Sequence, residues 1–374
     1  MPVPSGGDRS ASRAAAQPLR YSSTSAIMFS TPAEENSMIP LIDITPLFAA
    51  DGAMRRATDA EIMSAATGSG FITVMADGKL LPATASRRAQ MLELFSLPAH
   101  EKRKLWRQKY APEHANVYRG YFPLLPGPVQ NAEGFDMGPD VAHRRTTVAD
   151  DDPLLGATPF PPEGALPGWR EATADYYRAL EATGRVLMAS IARGLGLEER
   201  FFDSAFVGGN STLRFLHYPE REAAEIGEGA TFAEHNGATR RVIGAPHVDS
   251  GFVTLLAQDG VEGLQALAAS GEWVDVPARE GTVAVNFGGL LERWTGGRIK
   301  ATRHRVLSPG RPRFSIPFFY EPRVDAVIEP LPLPGAEVFE PFVYGDHLWQ
   351  AMLKFATYKG MEALRKPRGI PQAA

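Results

Sequence analysis

Cysteine is absent from all 374 residues. Its absence removes disulfide bridges, thiolate metal ligands and a cysteine nucleophile together. No apolar run approaches the roughly 20 residues that a membrane-spanning helix requires. An excess of one charge is missing too: 39 Lys and Arg stand against 43 Asp and Glu, a formal net charge of -4. So mild a balance gives no basic footprint for nucleic acid and none for an anionic membrane. Acids are scarce in residues 1–36, where Asp8 is the only one before Glu34 and Ser, Ala and Arg dominate. That stretch has no secretory apolar core, and it reads as a disordered tail or, in a eukaryote, an organelle-targeting segment. The expectation is a soluble cytoplasmic protein, a monomer or small homo-oligomer, without nucleic-acid or membrane partners.

What is present suits a globular enzyme: 44% hydrophobic and 22% charged residues, in a chain long enough to bury a large core. Residues 37–165 read as an N-terminal α/β region. It starts with an apolar strand at Met38–Ile44, a helix near Asp59–Ala66 and a strand after Gly70. Residues 85–106 look helical, with Met91, Leu92, Leu94 and Phe95 as a core stripe. Between Tyr118 and Gly168 proline, glycine and charge predict long loops, from which Phe122, Phe135 and Met137 are candidates to reach a substrate. Residues 166–205 carry a spine helix from Pro167 to Gly194, since Trp169, Thr173, Tyr176, Leu180, Leu187 and Ile191 recur at helical intervals. Residues 206–325 form the next region, and from about Ser211 the hydrophobic period changes to two. Short strands alternate with Gly-, Pro- and Asp-rich turns, which predicts a double-sheet β roll. Residues 326–374 are expected to form a C-terminal helical segment, with a helix over Gly345–Tyr358. The predicted fold is mainly β with flanking helices: a double-stranded β-helix, or jelly roll, behind an N-terminal α/β region.

The candidate chemistry lies between Gly244 and Pro322. His247-Val-Asp249 places two ligands two residues apart, and in a strand such residues share a face. His304 follows on a separate predicted strand. Arg313 and Ser315 share the face of a third. A lone His-X-Asp is weak evidence in a chain with eight histidines. The coincidence of all five residues in one predicted β region is much stronger. Two histidines and a carboxylate leave half of an octahedral iron open for chemistry. A guanidinium fork beside a hydroxyl suits a carboxylate.

These residues resemble the signature of the iron(II)/2-oxoglutarate-dependent dioxygenase superfamily, in the branch that includes isopenicillin N synthase, flavonol synthase and gibberellin oxidases. Accessory matches are Leu213-Arg-Phe-Leu-His-Tyr218-Pro, Gly263-Leu-Gln-Ala, Gly271-Glu-Trp-Val-Asp-Val-Pro, Val285-Asn286-Phe-Gly-Gly, Ile39-Pro-Leu-Ile-Asp-Ile and Phe95-Ser-Leu-Pro-Ala-His-Glu-Lys. The resemblance implies Fe(II) on His247, Asp249 and His304, and 2-oxoglutarate and O2 as cosubstrates. It further implies a distal carboxylate on Arg313 and Ser315 with a hydrogen bond from Tyr218, and decarboxylation to succinate coupled to substrate oxidation. One departure is Gly289, where relatives often have an acid before the turn. Two other functions stay open from sequence: an isopenicillin N synthase-like oxidase without 2-oxoglutarate, and a catalytically silent binding protein on the same fold.

Overall fold

A computed structural model of the chain describes residues 39–370 except 129, 144–151 and 356. The expected tail or targeting segment, residues 1–36, lies outside the described residues. No helix among the described residues is long and apolar enough to cross a membrane.

The strands in chain order are β1 (Leu41–Asp43), β2 (Phe71–Met75), β3 (Gly120–Phe122), β4 (Glu133–Met137), β5 (Thr212–Tyr218), β6 (Phe232–His235), β7 (Ala238–His247) and β8 (Val253–Gln258). Then come β9 (Leu264–Leu267), β10 (Trp273–Asp275), β11 (Val283–Phe287), β12 (His304–Leu307), β13 (Arg313–Tyr320), β14 (Val327–Ile328) and β15 (Phe342–Val343). Eight of them form a large sheet in the order β1-β2-β11-β8-β13-β5-β4-β3, and five a smaller sheet in the order β10-β9-β12-β7-β6. The fold is mainly β with a jelly-roll core, as expected.

Period-two patterning decides which residues see the interior of the roll. On β13, Ile316, Phe318 and Tyr320 enter the main apolar core, while Arg313, Ser315, Pro317 and Phe319 face the opposite way into a cavity. On β5, Leu213 and Phe215 join the same core, leaving Arg214, Leu216 and Tyr218 on the cavity side. Strands β8 and β11 divide likewise, with Thr254, Leu256 and Asn286 inward. The apolar floor between the sheets is a second cluster that includes Ile243, Leu264, Ala266, Ala284 and Val306. Each sheet face is therefore dry except where polar residues converge.

The long helix Trp169–Gly194 covers the outer face of the large sheet. Trp169, Tyr176, Leu180, Leu187 and Ile191 are buried at the anticipated spacing, and the Trp169 indole donates to the Met91 carbonyl at 2.7 Å. Gly184 lets the backbone meet the Tyr320 ring, because a Cβ there would enter that ring. Gly196, at φ 74°, turns the chain out of the helix at the position where a left-handed residue is needed.

Several local expectations change. The run 85–106 is not one helix: Ala85–Leu92 and Ala99–Arg103 flank a 3-10 turn and Pro98, which cannot supply a helical N–H. The stretch 118–168 is not only loop, since β4 pairs with β5 and β3 with β4, extending the large sheet. Phe135 and Met137 consequently lie in the core, whereas Phe122 does line the cavity. His235 ends β6 and sits 3.2 Å from Asp275. The final helix spans Tyr344–Met352, shorter than the pattern suggested, and follows the small β14–β15 pair.

Candidate active site

β7 and β12 pair antiparallel with His304 directly opposite His247. This register sets the two imidazoles side by side, ring centroids 4.3 Å apart. Asp249 does not share a strand with His247, as the spacing suggested. β7 ends at His247, and Asp249 follows in a turn. The turn is tied down by the Gly289 amide, which donates to the Asp249 carbonyl at 2.7 Å, and by the Gly288 amide donating to the Phe252 carbonyl. A Cβ at Gly288 would strike the Gly251 carbonyl, so only glycine allows this close approach. At Gly289, where the chain departs from the family pattern, the contact to Asp249 is made by the backbone amide.

One ligand-type atom from each of His247, Asp249 and His304 lies within 4.8 Å of the others. Asp249 Oδ1 is 3.4 Å from His247 Nε2 and 3.8 Å from His304 Nε2. The remaining atoms are already engaged. Thr254 Oγ1 and Asn286 Nδ2 both donate to Asp249 Oδ2, at 2.6 and 2.8 Å. His247 Nδ1 contacts the Ala245 carbonyl at 2.8 Å, and His304 Nδ1 the Thr302 carbonyl at 3.2 Å. A carbonyl accepts only from an N–H, so each ring carries a proton on Nδ1, and in the neutral imidazole Nε2 is left with a lone pair at the position beside Asp249 Oδ1. Phe71 packs edge-on against His304.

Burial differs across the three: His247 is 44% exposed at the rim, Asp249 13%, and His304 8%. Burial alone would raise the Asp249 carboxyl, yet the hydrogen bond to His247, the nearby imidazoles and Asn286 hold it well below the usual carboxylate range. Burial lowers the His304 pKa, against the pull of Asp249, which favours the neutral imidazole. At His247 burial also lowers the pKa, but the Asp249 hydrogen bond and charge outweigh it, and the net shift is upward. An ionised carboxylate with a lone pair from each imidazole fits a divalent cation, the oxygen–nitrogen donor set that suits ferrous iron.

A cavity of about 470 Å³ opens beside these three and reaches Arg313, Ser315 and Tyr218. Arg313 is 1% exposed. Its Nη2 reaches Gln258 Oε1 at 3.4 Å, while Nε and Nη1 are buried without a partner among the described residues. Gln258 is itself held by the Val276 and Pro277 carbonyls. Burial depresses the Arg313 pKa, with Tyr218 and Asp259 pulling it back. A guanidinium stays charged in a protein, so this is a buried cation short of an anion. Tyr218 lies directly opposite Arg313 across the β5–β13 pair, and the guanidinium carbon sits 5.6 Å from its ring centre.

All six site residues expected from sequence therefore line one cavity. Sequence reading singled out neither Thr254 nor Asn286 as a site residue. They are cross-strand partners on β8 and β11, both facing inward. The available signal was a polar residue on the inner face of an otherwise apolar strand. His217 is structural: it bonds Glu133 at 2.8 Å and stacks on Phe314.

Comparison with known proteins agrees with this geometry. Residues 212–322 match the 2OG-Fe(II) oxygenase superfamily model, and residues 39–163 match the model for the N-terminal region of non-haem dioxygenases in morphine synthesis. The chain is 30% identical to the 2-oxoglutarate-Fe(II) type oxidoreductase hxnY of Emericella nidulans, across 78% of this chain and 82% of that one. It is also 30% identical to isopenicillin N synthase of Streptomyces clavuligerus, across 83% and 93%. Among solved structures it resembles a full-length Neurospora crassa protein in complex with alpha-KG, with a TM-score of 0.68 and 27% identity over 86% of this chain and 97% of that one. With two family models, relatives along most of its length and a His-Asp-His cluster at the mouth of a jelly roll, the chain belongs to the 2-oxoglutarate–Fe(II) oxygenase superfamily.

Proposed function

We propose that this enzyme, an Fe(II)- and 2-oxoglutarate-dependent oxygenase, binds its iron through His247, Asp249 and His304 and its 2-oxoglutarate through Arg313, Ser315 and Tyr218. Bound iron and 2-oxoglutarate supply oxygen activation, with decarboxylation to succinate and oxidation of a small molecule. The protein supplies fixed geometry and a dry wall. Thr254 and Asn286 hold Asp249 Oδ2, so that Oδ1 alone turns to the ligand position. The two Nδ1 bonds fix the imidazole tautomers and aim both rings. Arg313 offers two unpaired nitrogens to the distal carboxylate, with the Ser315 hydroxyl on the same face and Tyr218 opposite. The apolar floor keeps water from that ion pair, which strengthens it.

The observation that carries the assignment is Arg313: a fully buried guanidinium with two orphaned nitrogens, in the cavity that holds the three metal-type ligands. A cavity of about 470 Å³ suits a small-molecule substrate, not a polymer. A cytoplasmic protein, monomeric or a small homo-oligomer, without nucleic-acid or membrane partners, completes the reading and rests on composition and charge.

The test is succinate formation from 2-oxoglutarate, dependent on oxygen and Fe(II), in the wild type and Arg313→Ala. Succinate is expected from the wild type, and the variant should need far more 2-oxoglutarate. Substrate oxidation without succinate would move the chain to the oxidase chemistry of isopenicillin N synthase. Failure of the folded protein to bind Fe(II) would leave the silent binding protein.

A further inference from the structure

A second arginine faces the same cavity from the inner side of β5, and it has no part in the proposed binding of iron or 2-oxoglutarate. Arg214 Nε and Nη2 form a fork with Asp136, at 2.6 and 2.7 Å. Its third nitrogen, Nη1, makes no hydrogen bond among the described residues, and the side chain keeps 27% exposure. The guanidinium lies between Phe122 and Phe319, 5.7 and 5.3 Å from their ring centres. Its orientation is thus set from three sides, and Nη1 is the nitrogen left for a ligand of the cavity that Arg214 lines.

Asp136 does not neutralise Arg214 by itself, because it also pairs with Arg107. Arg107 is fully buried and donates to the Tyr358 hydroxyl, the Gly120 carbonyl and Asp136, so each of its nitrogens is engaged. Two guanidiniums around one carboxylate leave one positive charge over, and Arg214 alone has a nitrogen to spare for it. Lys354 on the cavity wall adds to that charge.

The reagents do not remove this excess. With the proposed ligands bound, the ferrous ion and Arg313 carry three positive charges, and Asp249 with dianionic 2-oxoglutarate carries three negative ones. That end of the cavity is balanced. Another acid, Glu321, lines an adjoining cavity of about 170 Å³ that shares Arg214, His247 and Asp249 with the larger one. No ion pair joins Glu321 to Arg214 among the described residues, and burial pushes the glutamate carboxyl up to about 7. Leu348, Met352, Phe355 and Phe252 give this second space an apolar wall.

We propose that the molecule oxidised by this enzyme is an organic acid, whose carboxylate is bound by Arg214 Nη1 while its hydrocarbon body lies along the apolar wall beside the metal ligands. Pairing the uncompensated guanidinium with a carboxylate gives Nη1 a charge-assisted hydrogen bond, stronger than one to a neutral group. The inference rests on the proposed site assignment, since the charge count presumes Arg313 is taken by 2-oxoglutarate.

The experiment uses the full chain with Fe(II) and saturating 2-oxoglutarate without oxygen, and titrates two probe pairs by ligand-observed NMR: phenylacetate against phenylacetamide, and octanoate against octanamide. In at least one pair the acid should bind about ten-fold tighter than its amide, the size expected for one hydrogen bond to a charged group. Arg214→Gln should bring that ratio near one. Equal binding of acids and amides to the wild type, or a ratio that survives in a folded Arg214→Gln, overturns the proposal. Because Arg214→Gln disturbs the Asp136 network, a wild-type crystal with 4-bromophenylacetate serves as an independent check. Its carboxylate should lie within about 3.2 Å of Arg214 Nη1, and a carboxylate placed elsewhere rejects the idea. Titrating 2-oxoglutarate first in the same sample separates the two assignments. Lost cosubstrate binding fells the site assignment and this inference with it, whereas intact binding without acid preference counts against Arg214 alone.

Discussion

The two ends of the main cavity are built on opposite principles. At the β7–β12 end, the side-chain atoms that do not face the ligand position are already bonded. Asp249 Oδ2 takes Thr254 and Asn286, and the two Nδ1 atoms take carbonyls. At the β13 end, Arg313 keeps two nitrogens unpaired in a buried setting. A metal site needs donors that cannot wander, so its neighbours are bonded first. An anion site that fills and empties each turnover needs donors held ready and unspoken for. Orphaned polar atoms and over-determined ones therefore both mark function here, each for a different ligand.

Substitutions at each end probe this contrast. The largest effect belongs to the rigid end. His304→Ala or Asp249→Ala should abolish Fe(II) binding and lower turnover by about a thousand-fold or more, since several kcal/mol of transition-state stabilisation depend on the ion. Metal analysis together with circular dichroism checks this, and a folded variant that retains iron would remove that residue from the ligand set. At the open end, Arg313→Ala should raise the 2-oxoglutarate requirement about 10- to 100-fold, the range for a lost hydrogen bond to a charged group. Iron affinity should change little by comparison. Titration of both ligands on one sample reads the split, and equal losses of both would erase the distinction between the ends.

A smaller effect refines the picture of the rigid end. Asn286→Ala or Thr254→Val should weaken iron affinity by roughly ten-fold, the lower part of the range for residues that orient a metal ligand. Because both donors meet the same Asp249 oxygen, the double variant should lose less or more than the sum, and simple additivity would show that they act independently. The smallest effect is in stability. Burial raises the Glu321 carboxyl to about 7, so the folded protein holds a proton that the unfolded chain releases at lower pH. Stability from that proton is present under acidic conditions and is lost as pH rises from the ordinary glutamate range through about 7. Glu321→Gln should flatten that fall, by on the order of 1 kcal/mol. Denaturant titrations of the metal-free protein between these limits measure it, and an identical pH slope in the variant would mean that Glu321 titrates normally.

The halves of the site were unequally legible in the sequence. Strand β13 carries Arg313 and Ser315 on one face by simple alternation, and that followed from spacing alone. His247 and Asp249 converge for a different reason than spacing implied, because the strand ends and the Gly288–Gly289 backbone holds a turn. The roles of Thr254 and Asn286 require the β8–β11 register, which no local pattern states. Arg214 and Asp136 meet only because β4 joins the edge of β5. Composition marks that region as loop, and tertiary pairing overrides the local propensity. The fold class was readable because alternating strands are local; the partners across strands were not.

An oxygen-free crystal structure of the full chain with Fe(II) and 2-oxoglutarate would look at both ends of the cavity at once. A single anomalous iron peak is expected within bonding distance of His247 Nε2, His304 Nε2 and Asp249 Oδ1, with the distal carboxylate of 2-oxoglutarate on Arg313. Iron bound away from those three atoms, or a 2-oxoglutarate that leaves Arg313 unpaired, would contradict the proposed site.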